Sequence, residues 1–116
     1  MRKHKPTDSR SNASRGTLDL LVLRALAFEP LHGVGIVRRI QQLTTDEIEL
    51  SFGSLFPAVY RMEERGWLQS EWKASENNRR AKYYRLTAAG RRRLQTEERE
   101  WKRIVKVVTL ALRSSS

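Results

Sequence analysis

Residues 53–66 read GSLFPAVYRMEERG, and the way this stretch is taken decides the fold. The spacing predicts a short helix that stops at Gly66. Pro57 falls inside its first turn, where a missing N–H costs little. At helical spacing Leu55, Val59 and Met62 share one face, with Ala58 beside them. The other side carries Pro57, Tyr60, Arg61 and Glu64, flanked by Ser54 and Phe56. A face of small, aromatic and cationic groups suits a helix that lies against something flat, polar and anionic.

The bulk composition supports that reading. The chain has 116 residues, so one domain is expected. Hydrophobic residues make up 39 % of it, enough for a modest core, and a dimer would bury more apolar surface. The formal net charge is +10. Such a field attracts polyanions, of which nucleic acid is the commonest; an anionic membrane surface is the competitor. The absence of cysteine excludes disulfides and thiolate metal sites, and it fits a reducing compartment. No signal peptide is visible, and the apolar run Leu18–Phe28 is too short to span a bilayer. A soluble, cytoplasmic protein is expected, with no membrane partner.

Outward from the central stretch, residues 1–14 form a polar, basic arm with nothing to bury. Thr17 is the expected cap of a helix from Leu18 to about Phe28, apolar around most of its circumference. Glu29–Gly33 is a break, in which His32 is a turn residue. A second helix runs from Gly33 or Val34 to Leu43, with Ile36, Ile40 and Leu43 as its inner stripe. Thr44–Phe52 is read as the linker to the central helix, with Asp46, Glu47 and Glu49 as solvated charges in it.

After Gly66 the period changes. Trp67–Ser75 alternates, with Leu68 and Trp72 on one face, and Arg80–Leu86 is a second strand-like run. SENNRR between them makes a hairpin with a long, cationic tip. Thr87 starts a last helix reaching about Leu112, with Leu94, Trp101, Ile104, Val105, Val108 and Leu112 at heptad-like spacing. A helix of that length with such a stripe needs a partner, and the same helix of a second subunit explains it best.

The order helix, helix, helix, hairpin, long helix gives an α+β class, mostly α. It is a winged helix-turn-helix over residues 15–86, a C-terminal dimerisation helix over 87–113 and a tail at 114–116. The expected arrangement sets the third helix in a major groove, the wing on phosphates, and two such units on a pseudo-palindromic site.

Four blocks of the sequence also resemble the PadR family of bacterial transcriptional regulators. They are GTLDLLVLRAL at Gly16–Leu26, PLHGVGI at Pro30–Ile36, GSLFPAVYRMEERGWL at Gly53–Leu68 and SENNRRAKYYRLTAAGRRRL at Ser75–Leu94. The resemblance implies a cytoplasmic winged-helix repressor, dimeric through its C-terminal helix, of the short subfamily with a single such helix. The chain departs from the family pattern at Phe56 and Val34, where members commonly carry Tyr. Some members hold planar aromatic compounds between subunits, which makes Trp101 the candidate contact for a small aromatic effector. Its simpler role is to fill the dimer interface.

The candidate DNA-binding residues are Ser54, Phe56, Pro57, Tyr60 and Arg61 of the third helix and Arg79, Arg80 and Lys82 of the wing. The cations of the wing suit phosphate contacts, which position but do not specify. Tyr60 has packing as its alternative role. The candidate dimer interface is Leu20, Leu23, Leu94, Trp101, Ile104, Val105, Val108 and Leu112. The leading function is a sequence-specific DNA-binding regulator, a repressor acting as a homodimer on double-stranded DNA. The alternative is a non-specific basic nucleoid or RNA binder. The sequence offers no nucleophile–base pair, metal cluster or phosphate-cradling loop, so no enzyme, metal or cofactor is expected.

Overall fold

The structure, a computed structural model, describes residues 15–113; the arm at 1–14 and the tail at 114–116 lie outside the described residues. The elements are α1 (Arg15–Ala25), α2 (Gly33–Leu43), α3 (Phe52–Glu64), β1 (Leu68–Ala74), β2 (Arg80–Leu86) and α4 (Ala88–Arg113). This is the expected winged helix with a long terminal helix.

Each helix of the domain turns its apolar stripe to a common core. Val22, Leu23 and Leu26 enter from the α1 segment, Ile36 and Ile40 from α2, and Leu55, Val59 and Met62 from α3. The hairpin adds Leu68, Tyr84 and Leu86, and α4 adds Leu94. The inner stripe of α3 is therefore as the periodicity has it.

Several boundaries differ from the sequence reading, each for a local reason. α1 begins at Arg15, so Thr17 is inside the helix and is not its cap. It ends at Ala25, before Phe28, because the chain tightens: the Leu26 amide donates to both Val22 O and Leu23 O at 3.2 Å, and Ala27 N to Arg24 O at 3.1 Å. Phe28 is left 70 % exposed. α3 begins at Phe52 with Ser51 as N-cap, whose Oγ accepts from Ser54 N at 3.2 Å. Pro57 consequently lies in the second turn, and the i−4 carbonyl it leaves without a donor belongs to the exposed Gly53. Leu43 is 44 % exposed and does not complete the stripe of α2.

The C-terminus of α3 is closed by paired bonds from Gly66 N to Glu63 O (3.0 Å) and Trp67 N to Met62 O (3.0 Å). Gly66 has φ +80, which only glycine adopts freely. α4 then starts against this corner. Thr87 Oγ1 donates to Gly66 O at 2.6 Å and accepts from Gly90 N at 3.0 Å.

β1 and β2 pair antiparallel from Leu68↔Leu86 to Ala74↔Arg80. The tip spans residues 75–79, the first strand ending at Ala74 so that Ser75 belongs to the turn. Ser75 N donates to Arg79 O at 2.6 Å and Asn78 N to Ser75 O at 2.8 Å, closing a tight turn with Asn78 at φ 63. A further strand contact was not legible: Leu31 and Tyr84 exchange both backbone bonds, at 3.0 and 2.9 Å, so the break before α2 ties the hairpin to the helices.

One charged pair sits inside this frame. Asp19 of α1 is 7 % exposed and is hydrogen-bonded by the Arg61 guanidinium of α3. Burial pushes the Asp19 carboxyl above its usual range, and the neighbouring Arg61 offsets only part of that.

Beyond Trp101 the long helix leaves the domain. From Lys102 to Arg113 every side chain is exposed. Ile104, Val105, Val108 and Leu112 are between 47 and 80 % exposed, and so are Val107 and Leu110, which the stripe did not include. At 100° per residue these groups and Trp101 span an arc of about 220°, wider than a coiled-coil seam.

Candidate nucleic-acid interface

The outer surface of α3 and the hairpin enclose a cleft of about 620 Å³. One wall is a ladder of rings at i, i+4 and i+8. Phe52 stacks on Phe56 with centroids 5.8 Å apart and planes at 22°, and Phe56 on Tyr60 at 5.8 Å and 23°. The ladder depends on the helix starting at Phe52. Phe56 also packs on the N-terminus of α2, where a Cβ added to Gly33 would lie 2.7 Å from Phe56 Cζ. That terminus is capped by His32, whose Nδ1 accepts from Gly35 N at 3.0 Å. His32 is thus the structural turn residue the sequence suggested.

The opposite wall is the hairpin. Arg80 lies over the Trp72 ring at 5.6 Å, and Lys82 over Tyr60 and Tyr84 at 5.9 and 5.7 Å. Lys82 also approaches Glu63 at 3.8 Å, so its charge is partly matched. Tyr84 is buried, and burial first, then the neighbouring Tyr60 and Glu63, pushes its phenol up to about 12. Arg79 and Arg80 are exposed, and among the described residues that line the cleft none is a carboxylate, the nearest being Glu63 behind Lys82.

The residues expected to meet DNA therefore divide. Phe56, Tyr60, Arg79, Arg80 and Lys82 are brought to one cleft. Pro57 is exposed on the outer face, and Ser54 is half-buried beside Ser51, its Oγ 3.3 Å from the capping hydroxyl. Arg61 is not on the outer face. Its guanidinium turns inward to Asp19 and its side chain is 21 % exposed, because an isolated buried carboxylate is far costlier than a paired one. The exposed rings Phe52 and Trp72 are among the cleft residues that sequence reasoning does not find. Phe52 was assigned to a linker; the Ser51-x-x-Ser54 capping pattern was the signal available for it. Alternation puts Trp72 on the face of Leu68, yet it is 58 % exposed, because the hairpin extends beyond the core that covers Leu68.

The residues expected at a subunit interface divide as well. Leu23 (0 %) and Leu94 (7 % exposed) are buried in the core of the single chain. Leu20 and Trp101 are half-buried, and Ile104, Val105, Val108 and Leu112 are exposed. Trp101 borders a recess of about 180 Å³ with Ile104, Gly16 and Thr17, flanked by Glu97 and Glu100. Among the described residues no helix is long and apolar enough to cross a membrane.

Comparison with known proteins bears on the same elements. The sequence model of the transcriptional regulator PadR-like family matches residues 22–96, which include α2, α3, the hairpin and the start of α4. A PadR family transcriptional regulator from Eggerthella lenta is 35 % identical, over 87 % of this chain and 86 % of its own, with a TM-score of 0.72. A PadR family transcription regulator from Clostridium difficile is 30 % identical, over 82 % and 97 %, with a TM-score of 0.71. A transcriptional regulator from Clostridium thermocellum is 27 % identical, over 85 % and 96 %, with a TM-score of 0.76. With fold, element order and most of its length in common with these regulators, the chain belongs to the PadR-like family of transcriptional regulators.

Proposed function

We propose that the protein is a cytoplasmic, sequence-specific DNA-binding repressor that acts as a homodimer on a two-fold operator. The observation that carries the reading is the cluster of wing cations beside the exposed face of α3. Pro57 and Tyr60 are exposed on the helix, and Arg79, Arg80 and Lys82 stand beside them on the hairpin. A helix fills the major groove, and wing cations reach the adjacent phosphates. Base-edge contacts fall to Ser54, Pro57 and Tyr60, and phosphate contacts to the wing. Arg61 serves instead to fix α3 on α1.

The second subunit is called for by α4. Its last three turns expose six large apolar side chains, a patch that an isolated soluble domain seldom leaves uncovered. The breadth of the arc favours a dimer in which each terminal helix meets both α4 and the Leu20 side of α1 of its partner. Release by a small aromatic effector at Trp101 belongs to the same reading, supported by the recess beside that ring.

The net charge of +10 also favours the rival, a non-specific nucleic-acid binder. One experiment separates them: binding to the DNA upstream of the protein's own gene and to scrambled DNA at several salt concentrations, with a selection from random DNA alongside. A preferred two-fold site bound by a dimer, with a log–log salt slope of roughly −5 to −9 for ~6–10 phosphates, is the expected result. Equal affinity for both DNAs and no enriched sequence in the selection would leave only the non-specific binder.

A further inference from the structure

The hairpin meets α3 through the core at its base and through one carboxylate above it. Leu68 and Leu86 pair across the strands inside the core, Ser70 and Tyr84 at the next level, and Trp72 and Lys82 above them. Alternate residues of a strand share a face, so all six side chains lie on the face turned to α3. Glu63, in the last turn of α3, reaches the middle of that face. Its Oε2 accepts from Ser70 Oγ of β1 at 2.6 Å, and its Oε1 lies 3.8 Å from Lys82 Nζ of β2. The two oxygens of one side chain are thus committed to the two strands. Among the described residues, the hydrogen bonds and ion pairs between side chains of α3 and the hairpin meet on this carboxylate. Glu63, Ser70 and Lys82 are all half-buried, which strengthens both links relative to open water. Lys82 in turn lies over the ring of Tyr60, one turn earlier on the helix.

We infer that Glu63 is a positioning residue: it fixes the angle between α3 and the wing, and it holds Lys82 back from phosphate. Phosphate contacts carry no sequence information of their own. Those of the wing help α3 to read bases only when wing and helix move as one body. Seating the wing on the backbone then sets the register of Tyr60 in the groove. A carboxylate bonded to both strands supplies that rigidity. It also lowers the effective charge of the wing, because Lys82 reaches a phosphate only by leaving Glu63 uncompensated. Arg79 and Arg80, at the exposed tip, remain the principal phosphate contacts. The role in recognition rests on the DNA-binding reading; the link between helix and hairpin does not.

The test measures the affinity of the full chain for a selected operator and for scrambled DNA over a range of salt. Ser70→Ala removes the hydroxyl and no charge. The ratio of the two affinities should fall about 3–10-fold with the salt slope unchanged, and Ser70→Thr should restore it. A variant that only destabilised the fold would lose affinity for both DNAs alike and leave the ratio intact. Glu63→Gln keeps an acceptor for Ser70 and frees Lys82, so the log–log salt slope on scrambled DNA should steepen by about 0.5–0.9. Glu71→Gln makes the same change of charge on the other face of the hairpin and should alter the slope by less than about 0.3. Lys82→Gln should flatten it by less than about 0.4, against about 0.9 for Arg79→Gln. The positioning role is overturned if Ser70→Ala keeps the ratio. The hold on Lys82 is overturned if Glu63→Gln acts no differently from Glu71→Gln, or Lys82→Gln no differently from Arg79→Gln. Residual dipolar couplings of the free protein test the link without DNA. Ser70→Ala should reduce those of the hairpin amides relative to those of α3, and couplings equal to the parent's would overturn the link. If no sequence is preferred, the regulator reading fails, and the slopes on scrambled DNA still decide the hold on Lys82. A protein that binds no DNA at all refutes that reading and the role in recognition with it, and the couplings still decide the link.

Discussion

Removing one partner of the Asp19–Arg61 pair should damage the protein more than removing both. The Asp19 and Arg61 side chains are 10 and 21 % exposed, and Arg61 Nε already lacks a hydrogen-bond partner. Asp19→Leu leaves a half-buried guanidinium with nothing to satisfy it; Arg61→Met leaves a buried carboxylate. Losing one partner of a buried pair costs about 3–5 kcal/mol, and the partial exposure of the Arg61 side chain places these changes near the lower end, about 3 kcal/mol each. A domain of this size has roughly 5–15 kcal/mol in all, so either single variant gives up a large part of it. The double variant Asp19→Leu with Arg61→Met replaces the pair with apolar packing and should lie within about 1 kcal/mol of the parent. The sign of the Asp19 shift agrees, since desolvation outweighs the attraction of Arg61. Urea unfolding followed by tryptophan fluorescence measures all four proteins, at one fixed concentration because a dimer makes stability concentration-dependent. Single variants costing under about 1 kcal/mol, or a double variant as damaging as both singles added, would show that the pair is solvated and refute the reasoning.

The same carboxyl gives a pH signature. Its folded pKa is raised above 3.8, so its contribution is full below that value and is lost as pH rises through the folded pKa; Asp19→Asn should abolish this component of the stability–pH curve. Gly90→Ala sets a Cβ 2.1 Å from Trp67 O and should destabilise by about 3 kcal/mol, as thermal or urea unfolding would show; a loss under about 0.5 kcal/mol would mean that α4 moves off the Gly66–Trp67 corner freely. Gly66→Ala, at φ +80 with open space around it, should cost about 1–2 kcal/mol from backbone strain alone, and Gly66→Asn distinctly less in the same unfolding assay. Ile104→Asp with Val108→Asp should convert a dimer to a monomer by light scattering while the circular dichroism of the winged-helix domain persists; an unchanged mass would remove α4 from the interface.

Much of this architecture was legible because its signals are local. The period of Leu55, Val59 and Met62, the stop at Gly66, the switch to alternation after Trp67 and the length of the last apolar stripe each come from residues within a few turns of one another. They specify element type and order, and through the net charge the class of partner. The boundaries that shifted did so where a cap or a tightened turn, worth about 1 kcal/mol, decides where a helix begins or ends. The placement of the hairpin cations beside Tyr60 was legible too, from adjacency in the chain. The aromatic ladder was half legible, since Phe56 and Tyr60 were seen and Phe52 was assigned to a linker.

Periodicity alone determines that α3 has an apolar face, that a hairpin follows and that the terminal helix carries an uncovered stripe. Only the tertiary structure decides what each ambiguous residue faces. Arg61 reads as an outward cation until Asp19, 42 residues earlier, is brought beneath it. Leu23 and Leu94 read as interface residues until α1 and α4 are packed against each other, and Trp72 shares a face with Leu68 but not its burial, because the hairpin outruns the helices that cover Leu68. The physical reason is common to all three. Helical and strand periods fix the direction of a side chain from its own element, whereas burial and charge pairing depend on which distant element lies in that direction.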